Sequence, residues 1–422
     1  MTVTTTSFWH PFANMAKLSV DGAVNIVRGE ASTVYDDDGN AYLDGLGSLW
    51  YCNIGHGRAE IADAAAAQIR TLAAYQTFDR YTSPPVEALA SRVAALAPFA
   101  DAKIFFTTGG SESIDTAGKL VRSYWNLMGS PEKQYIISRE HAYHGMNAYG
   151  TSLSGIPGNL RDFHPLVPTV GRVPWDDAEA LRTEIARIGA ENVAAFFCEP
   201  VIGAGGVIAP PDGYLPAVAA ICREHDVLFV ADEVVSAYGR LGRWFASDYY
   251  AIEPDIITTA KGLTSGYAPL GAVIVGPRVS EPFWSAGSAA SFVHGYTYSG
   301  HTASCAIALA NLDIIEREQL LDRVTTLVPV LEAAMLPLAS HPLVGEVRAG
   351  TGLLAAVEID SAAMAADPGL IARIVNEVRA LGVLTRAARG VALQVSPPFV
   401  ITEAEIARIG EAFAAGLDAA AR

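Results

Sequence analysis

The chain has 422 residues, 51% of them hydrophobic and 18% charged, with a formal net charge of −16. That length and composition supply a large core spread over two or three domains, while the acidity argues against a nucleic-acid phosphate backbone as partner. No apolar run approaches the ~18 residues of a membrane span, and residues 1–7 are Thr-rich without the basic-then-apolar pattern of a secretory signal, so a soluble cytoplasmic protein is expected.

Near the start, Phe8-Trp9-His10-Pro11-Phe12 puts three aromatics in five residues, which either plug a core or line a pocket. Short alternating runs at 26–27 and 33–35, with the turn Asp36-Asp37-Asp38-Gly39-Asn40, read as a small antiparallel unit. Residues 45–57 hold Trp50, Tyr51, Cys52, Asn53, Gly55 and His56, a glycine-rich aromatic loop of the kind that carries function. From about residue 60, alanine-rich helical segments (61–72, 85–96) frame β-rich runs at 103–107, 134–138, 193–198, 227–231, 256–259 and 271–275. Helical patterns intervene, as at 115–125 and 215–225. This alternation predicts an α/β fold with a mostly parallel sheet covered by helices on both faces. The last two runs are close enough to form a hairpin that adds an antiparallel strand. Beyond residue 300, helical patterns at 303–318 and 321–335 precede a second α+β unit with strands near 344–348 and 353–359. A capping box, Thr402-x-x-Glu405, opens a final amphipathic helix with Ile406, Ile409, Phe413 and Leu417 on one face. There is no repeat or flexible linker, so the parts are expected to pack against each other. The division expected is 1–60 contributing to a small domain, 61–320 forming the large domain, and 321–422 completing the small α+β domain. The four cysteines (Cys52, Cys198, Cys222, Cys305) form no CxxC pair and indicate neither a zinc site nor a disulfide framework.

Only five lysines occur: Lys17, Lys103, Lys119, Lys133 and Lys261. The first four read as solvated. Lys261 alone lies between two β-branched, apolar segments, where lost hydration lowers its pKa and frees a nucleophilic amine; a strand-end lysine snorkelling to water is the other reading. The run 104–107 enters Thr108-Gly109-Gly110-Ser111-Glu112, and a helical pattern with Ile114, Ala117, Leu120, Val121 and Tyr124 follows. Strand, glycine turn and helix present free backbone N–H groups and a positive dipole end to an anion, or simply connect two elements. With neither GxxxxGK[ST] nor GxGxxG present, a single phosphate suits this turn better than a nucleotide. Asp232 ends the 227–231 run, at the strand end where ligands bind in parallel sheets; it either pairs with a buried cation or caps the next turn. His141-x-x-His144 has no third ligand nearby, so no metal is expected. Tyr143 between them is an aromatic that can stack on a ring. A phosphate cup, a stacking aromatic, a strand-end aspartate and an isolated lysine are together what pyridoxal phosphate requires. The aspartate would keep the pyridine nitrogen protonated, and the lysine would form the Schiff base and move protons.

The motifs extend this reading. Phe106-Thr107-Thr108-Gly109-Gly110-Ser111-Glu112-Ser113, Ala142-Tyr143-His144-Gly145, Glu199-Pro200-Val201-Ile202-Gly203-Ala204-Gly205-Gly206, Ala231-Asp232-Glu233-Val234, Thr259-Ala260-Lys261-Gly262-Leu263 and His294-Gly295-Tyr296-Thr297-Tyr298-Ser299-Gly300-His301 occur in order. With them the chain resembles the class III aminotransferases of the fold-type I pyridoxal-phosphate superfamily over nearly its whole length. The resemblance implies that Gly110 and Ser111 bind the phosphate, Tyr143 stacks on the ring and Val234 packs on its opposite face. It implies that Asp232 pairs with the ring nitrogen and that Lys261 is the Schiff-base residue. Thr297 would reach the phosphate of the neighbouring subunit's cofactor, so a homodimer follows, with tetramers left open.

Trp50, Phe12 and Arg386 (in Leu384-Thr385-Arg386-Ala387) resemble the amine or ω-amino acid:pyruvate subgroup, in which the arginine grips the carboxylate of pyruvate or alanine. Phe78, with Phe12, Trp50 and Tyr143, is expected to shape the substrate pocket. Ala204 stands where ornithine- and 4-aminobutyrate-type relatives carry a glutamate that pairs with this arginine, which argues against a 2-oxoglutarate specialist. Ile202 replaces a glutamine near the cofactor's phenolic oxygen, and Gly109 replaces a serine of the phosphate loop. The expected activity is ping-pong transfer of an amino group from an amine or ω-amino acid to pyruvate. Rival expectations are a same-fold aminomutase, a decarboxylating aminotransferase or a 2-oxoglutarate-dependent ω-aminotransferase. From other classes come a dinucleotide-dependent oxidoreductase and a non-catalytic cofactor-binding protein.

Overall fold

The computed structural model describes residues 6–285 and 287–422; the opening of the Thr-rich segment read above, residues 1–5, lies outside the described residues. Its centre is a seven-stranded sheet. From edge to edge the strands run Lys103–Thr107, Gly271–Val275, Ile256–Thr259, Leu228–Asp232, Val193–Cys198, Tyr135–Arg139 and Val170–Val173. Gly271–Val275 is antiparallel to both neighbours, and the remaining pairs are parallel. The expected hairpin is therefore present, and its second strand is inserted between Ile256–Thr259 and Lys103–Thr107. Every residue of Val193–Cys198, Leu228–Asp232, Ile256–Thr259 and Gly271–Val275 is buried. Such unbroken apolar runs are what a sheet covered on both faces requires. One cover is the helix Gly110–Leu127, which turns Ile114, Ala117, Val121 and Tyr124 inward.

Strand Val170–Val173 was not expected from the sequence. It lies at the sheet edge with only Val173 buried, so it carries no apolar run to notice. Lys133 corrects a second expectation: it is buried, not solvated. Its ammonium sits 4.1 Å from the Trp125 ring centroid and donates to the Asp226 carbonyl oxygen at 2.6 Å.

Around this layer lie two smaller antiparallel sheets. Ile26–Glu30, Thr33–Asp36 and Ala41–Leu43 form one, and the acidic turn joins its second and third strands. Asp36 organises that turn by accepting from Asn40 N at 2.8 Å and the Tyr42 hydroxyl at 2.8 Å. The other sheet orders Val344–Arg348, Ala355–Ile359, Ala392–Val395 and Ala387–Ala388, and is backed by helices Leu370–Ala380 and Glu403–Ala420. The predicted capping box is present at Thr402 and Glu405. Helix Leu320–Met335, continued by a 3₁₀ segment to Ser340, is the one described stretch long and apolar enough to cross a bilayer; Val324, Leu327, Leu331 and Met335 pack into the core.

The two ends of the chain meet. Leu43 N donates to Gly382 O and Leu384 N to Leu43 O, each at 2.9 Å. Ser396 ties down the Trp50 loop, its amide donating to Gly45 O at 2.7 Å and its hydroxyl to Leu46 O at 2.8 Å. The buried Arg240 guanidinium donates to Asn53 Oδ1 at 2.9 Å and Pro397 O at 2.7 Å, and burial pulls it down to about 9. These bonds bring Trp50 and Arg386, 336 positions apart in sequence, to the mouth of the central sheet.

Candidate active site

At the carboxyl ends of the parallel strands lies a cavity of about 1010 Å³. Strand Ile256–Thr259 runs through Ala260 into a single 3₁₀ turn, where Lys261 adopts φ +37°. A non-glycine residue there is strained and needs its surroundings to hold it. Buried Asn311 does so, donating to Gly262 O at 2.9 Å and Leu263 O at 3.0 Å. Ser113 donates to Thr259 O at 3.1 Å from the phosphate-loop helix. The Lys261 ammonium faces Trp50, 5.2 Å from its ring centroid. Burial pushes its amine down to about 8; Asp232 and Glu199 oppose the shift and Arg386 adds to it.

Asp232 closes strand Leu228–Asp232. Its Oδ2 lies 2.7 Å from His144 Nδ1, while Oδ1 accepts from Val234 N at 3.1 Å and Thr258 Oγ1 at 3.3 Å. His144 is fully buried, and its Nε2 has no partner. Glu199, just past Val193–Cys198, accepts from Tyr143 N and Gly203 N, both at 2.9 Å, and so fixes the backbone that carries Tyr143. Burial pushes the Glu199 carboxyl up, with His144 opposing and Asp232 reinforcing.

Facing these groups is the amino end of helix Gly110–Leu127, whose first-turn amides have no intrahelical acceptor. Two glycines let the surrounding loops close on this end. A Cβ on Gly110 would lie 2.8 Å from Val234 Cγ1, and one on Gly145 (φ +86°) would lie 2.5 Å from Ser111 Oγ. Ser111 Oγ meanwhile accepts from Met146 N at 3.1 Å.

Gly110, Ser111, Tyr143, Asp232, Val234 and Lys261 all line the cavity, as do Phe12, Trp50 and Arg386. Phe78 and Thr297 do not. They belong to a surface patch where the Phe78 ring packs on Gly295 and the Thr77 hydroxyl donates to Ser299 O at 2.9 Å. Phe8 and Trp9 are exposed rather than plugging a core, and Phe12 sits at the rim with 75% exposure. Arg386 Cζ is 5.7 Å from the Trp50 centroid, so this guanidinium and the Lys261 amine share the indole as a neighbour. Burial lowers the Arg386 pKa, with Tyr143 opposing, and no carboxylate among the described residues forms an ion pair with it. Ala204, the position where some relatives carry a glutamate, lines the same cavity and offers no charge.

Sequence reasoning passed over His144 and Glu199. Both lie inside the ordered motifs, but the His141-x-x-His144 spacing suggests only a metal ligand. Its carboxylate partner is 88 residues away, a separation at which no local pattern operates.

The residues present fit pyridoxal phosphate. The glycine cradle and free amides suit a phosphate, the carboxylate backed by a buried imidazole suits a pyridinium nitrogen, and the partly neutral lysine suits an aldehyde. Mixed sheet, small antiparallel unit and this site define a fold-type I pyridoxal-phosphate enzyme. The family model for class III aminotransferases matches residues 15–417, and the chain belongs to that family. It is 39% identical over 418 residues to a putrescine–pyruvate aminotransferase of Pseudomonas aeruginosa, covering 94% of this chain and 91% of that one. It is 37% identical over 406 residues to the mitochondrial gamma aminobutyrate transaminase 1 of Solanum lycopersicum, covering 90% and 78%. Among solved structures, a thermostable (S)-enantioselective omega-transaminase from Thermomicrobium roseum superposes with a TM-score of 0.94 at 39% identity, covering 98% and 96% of the two chains. A PLP-bound amine transaminase from an uncultivated Pseudomonas species gives 0.92 at 35% identity, covering 99% of each. The protein is thus a pyridoxal-phosphate-dependent aminotransferase of omega-transaminase type.

Proposed function

We propose that the enzyme moves an amino group from a primary amine or ω-amino acid to pyruvate in two half-reactions, releasing a ketone or aldehyde and then alanine. The observation that carries this reading is the Arg386 guanidinium, free of any carboxylate partner among the described residues and sharing the Trp50 ring with the Lys261 amine. A fixed, always-charged fork beside the reacting amine suits a carboxylate bonded directly to the reacting carbon. Ala204 supports the choice of pyruvate, since no glutamate is present there to draw the fork aside.

When bound, the cofactor supplies an electrophilic carbon and a ring that accepts electrons. Lys261 would hold it covalently. Once displaced by the donor, the Lys261 Nζ would take the proton from the donor carbon, a role its lowered pKa favours. Asp232 would hold a proton on the ring nitrogen, and His144 Nδ1 would keep that carboxylate oriented. Gly110 and Ser111 would bind the phosphate, with Tyr143 and Val234 on the two ring faces.

A panel of amines with pyruvate or 2-oxoglutarate tests the reading, and pyruvate is expected to give the higher kcat/KM. Arg386→Leu should raise the KM for pyruvate by roughly tenfold to hundredfold, the worth of a charge-assisted hydrogen bond. An unchanged KM would remove Arg386 from this role. Repeated turnover on one amine with no oxo-acid would instead indicate a mutase.

We further propose that the enzyme works as a homodimer in which Thr297 contributes to the neighbouring site. Tyr75, Phe78, Tyr81 and Tyr298 are more than 45% exposed. An exposed aromatic patch of that kind suits a subunit interface. Light scattering on the holoenzyme should give twice the mass of the chain, and Thr297→Ala should weaken cofactor retention. A fully active monomer would overturn the proposal.

A further inference from the structure

Three residues beyond Arg386, in the turn between Ala387–Ala388 and Ala392–Val395, stands a second arginine. Arg389 lines the active-site cavity together with His141. The same two residues also line a second cavity, of about 480 Å³. The two cavities therefore share part of their lining. Val201, Ile208 and Leu354 give the second cavity apolar sides, and Arg348 and Glu358 give it a charged end.

The bonds of Arg389 leave it available. Nη1 lies 3.0 Å from His141 Nδ1, and burial with the adjacent guanidinium holds that imidazole below its ordinary pKa, so this partner is neutral at pH 7. Nη2 makes only a long 3.4 Å contact with Glu358, whose same oxygen accepts from Arg348 at 2.7 Å. Arg389 Nε is buried with no partner. Glu358 is thus satisfied mainly by Arg348, and the planar fork of Arg389 is committed to no carboxylate in two-pronged fashion. A carboxylate arriving from the cavity would exchange the neutral acceptor on Nη1 and the long Glu358 contact on Nη2 for two charge-assisted bonds.

Arg386 and Arg389 then differ in what they can reach. Arg386 stands over Trp50 beside the reactive amine, where a carboxylate bonded to the reacting carbon must lie. Arg389 stands with His141 on the part of the wall that borders the second cavity and its apolar sides. We propose that Arg389 is a specificity residue that binds the distant carboxylate of long ω-amino carboxylic acid donors, their methylene chain lying along the cavity. This rests on the aminotransferase reading above.

The test is the donor half-reaction of the holoenzyme, followed by cofactor absorbance with no oxo-acid present, so that pyruvate plays no part. The donors are ε-aminocaproate and pentylamine, which share their chain and differ by the carboxylate. Arg389→Gln should lower the ratio of their second-order rate constants by roughly tenfold or more. Arg389→Lys keeps the charge without the fork, and should lower it by about threefold, which preserves the test where the glutamine variant fails to fold. An unmoved ratio in a folded variant overturns the assignment alone. A wild-type enzyme that reacts with neither donor overturns the amine and ω-amino acid donor reading on which the assignment rests.

Discussion

Lys261→Ala is expected to lose the visible absorbance of lysine-bound cofactor and to lower kcat by at least roughly 10⁴-fold, because one amine serves as both attachment point and proton carrier. No other lysine lines the cavity, so no substitute is at hand. The structure also allows this loss to be separated from misfolding. Burial holds the folded-state pKa at about 8, below the ordinary lysine value of 10.5. Between those two values the unfolded chain binds more protons than the folded one, so the stability of the cofactor-free enzyme rises with pH across that window. Below about 8 the full penalty for a desolvated ammonium is present. Lys261→Met, which keeps the apolar stem, should therefore melt higher than the wild type at pH 7 when both are cofactor-free, with the gain fading toward pH 10. A dead enzyme that is more stable than its parent has lost chemistry, not structure. Retained colour and turnover in Lys261→Ala would sink the assignment.

Much of the fold could be read in advance because it rests on uninterrupted burial. Strands Val193–Cys198, Ile256–Thr259 and Gly271–Val275 coincide with runs evident in the sequence, since each is covered on both faces and can carry only apolar or small residues. Val170–Val173 escaped because an edge strand with one buried residue has no such constraint. Lys133 misled for a related reason: its polar neighbours in sequence say nothing of the Trp125 ring that folds over it from the preceding helix. The site divided along the same line. Lys261 and Asp232 stood out because a charge at the end of an apolar run is locally anomalous. His144 and the Arg386–Trp50 approach are products of topology, joining positions that no periodicity connects. Arg386 is marked only by family resemblance, and Arg389 only by the two cavities that it lines.

Asp232→Asn should have the second-largest effect, slowing the donor half-reaction by roughly 10²–10³-fold, the scale on which losing one fixed electrostatic partner of a reacting group is felt. Three donors converge on this carboxylate: His144 Nδ1 at 2.7 Å, Val234 N at 3.1 Å and Thr258 Oγ1 at 3.3 Å. An asparagine can still accept from Val234 and Thr258 through Oδ1. Its amide nitrogen would then face His144 Nδ1, a donor toward a donor unless the imidazole changes tautomer. The change thus removes the negative charge of this side chain while sparing the loop that carries it. Lys261 and the Gly110–Ser111 cradle are untouched, so cofactor should still be captured and the protein should remain coloured. Single-turnover absorbance measurements separate the two roles: the lysine variant loses colour and rate together, the asparagine variant rate alone. A half-reaction within about threefold of wild type would mean that Asp232 only caps its turn, the plainer reading that its place after an apolar strand had left open. His144→Ala, which leaves the charge but frees its orientation, should fall between the wild type and Asp232→Asn, since a carboxylate still anchored by Val234 N and Thr258 Oγ1 keeps two of its three constraints.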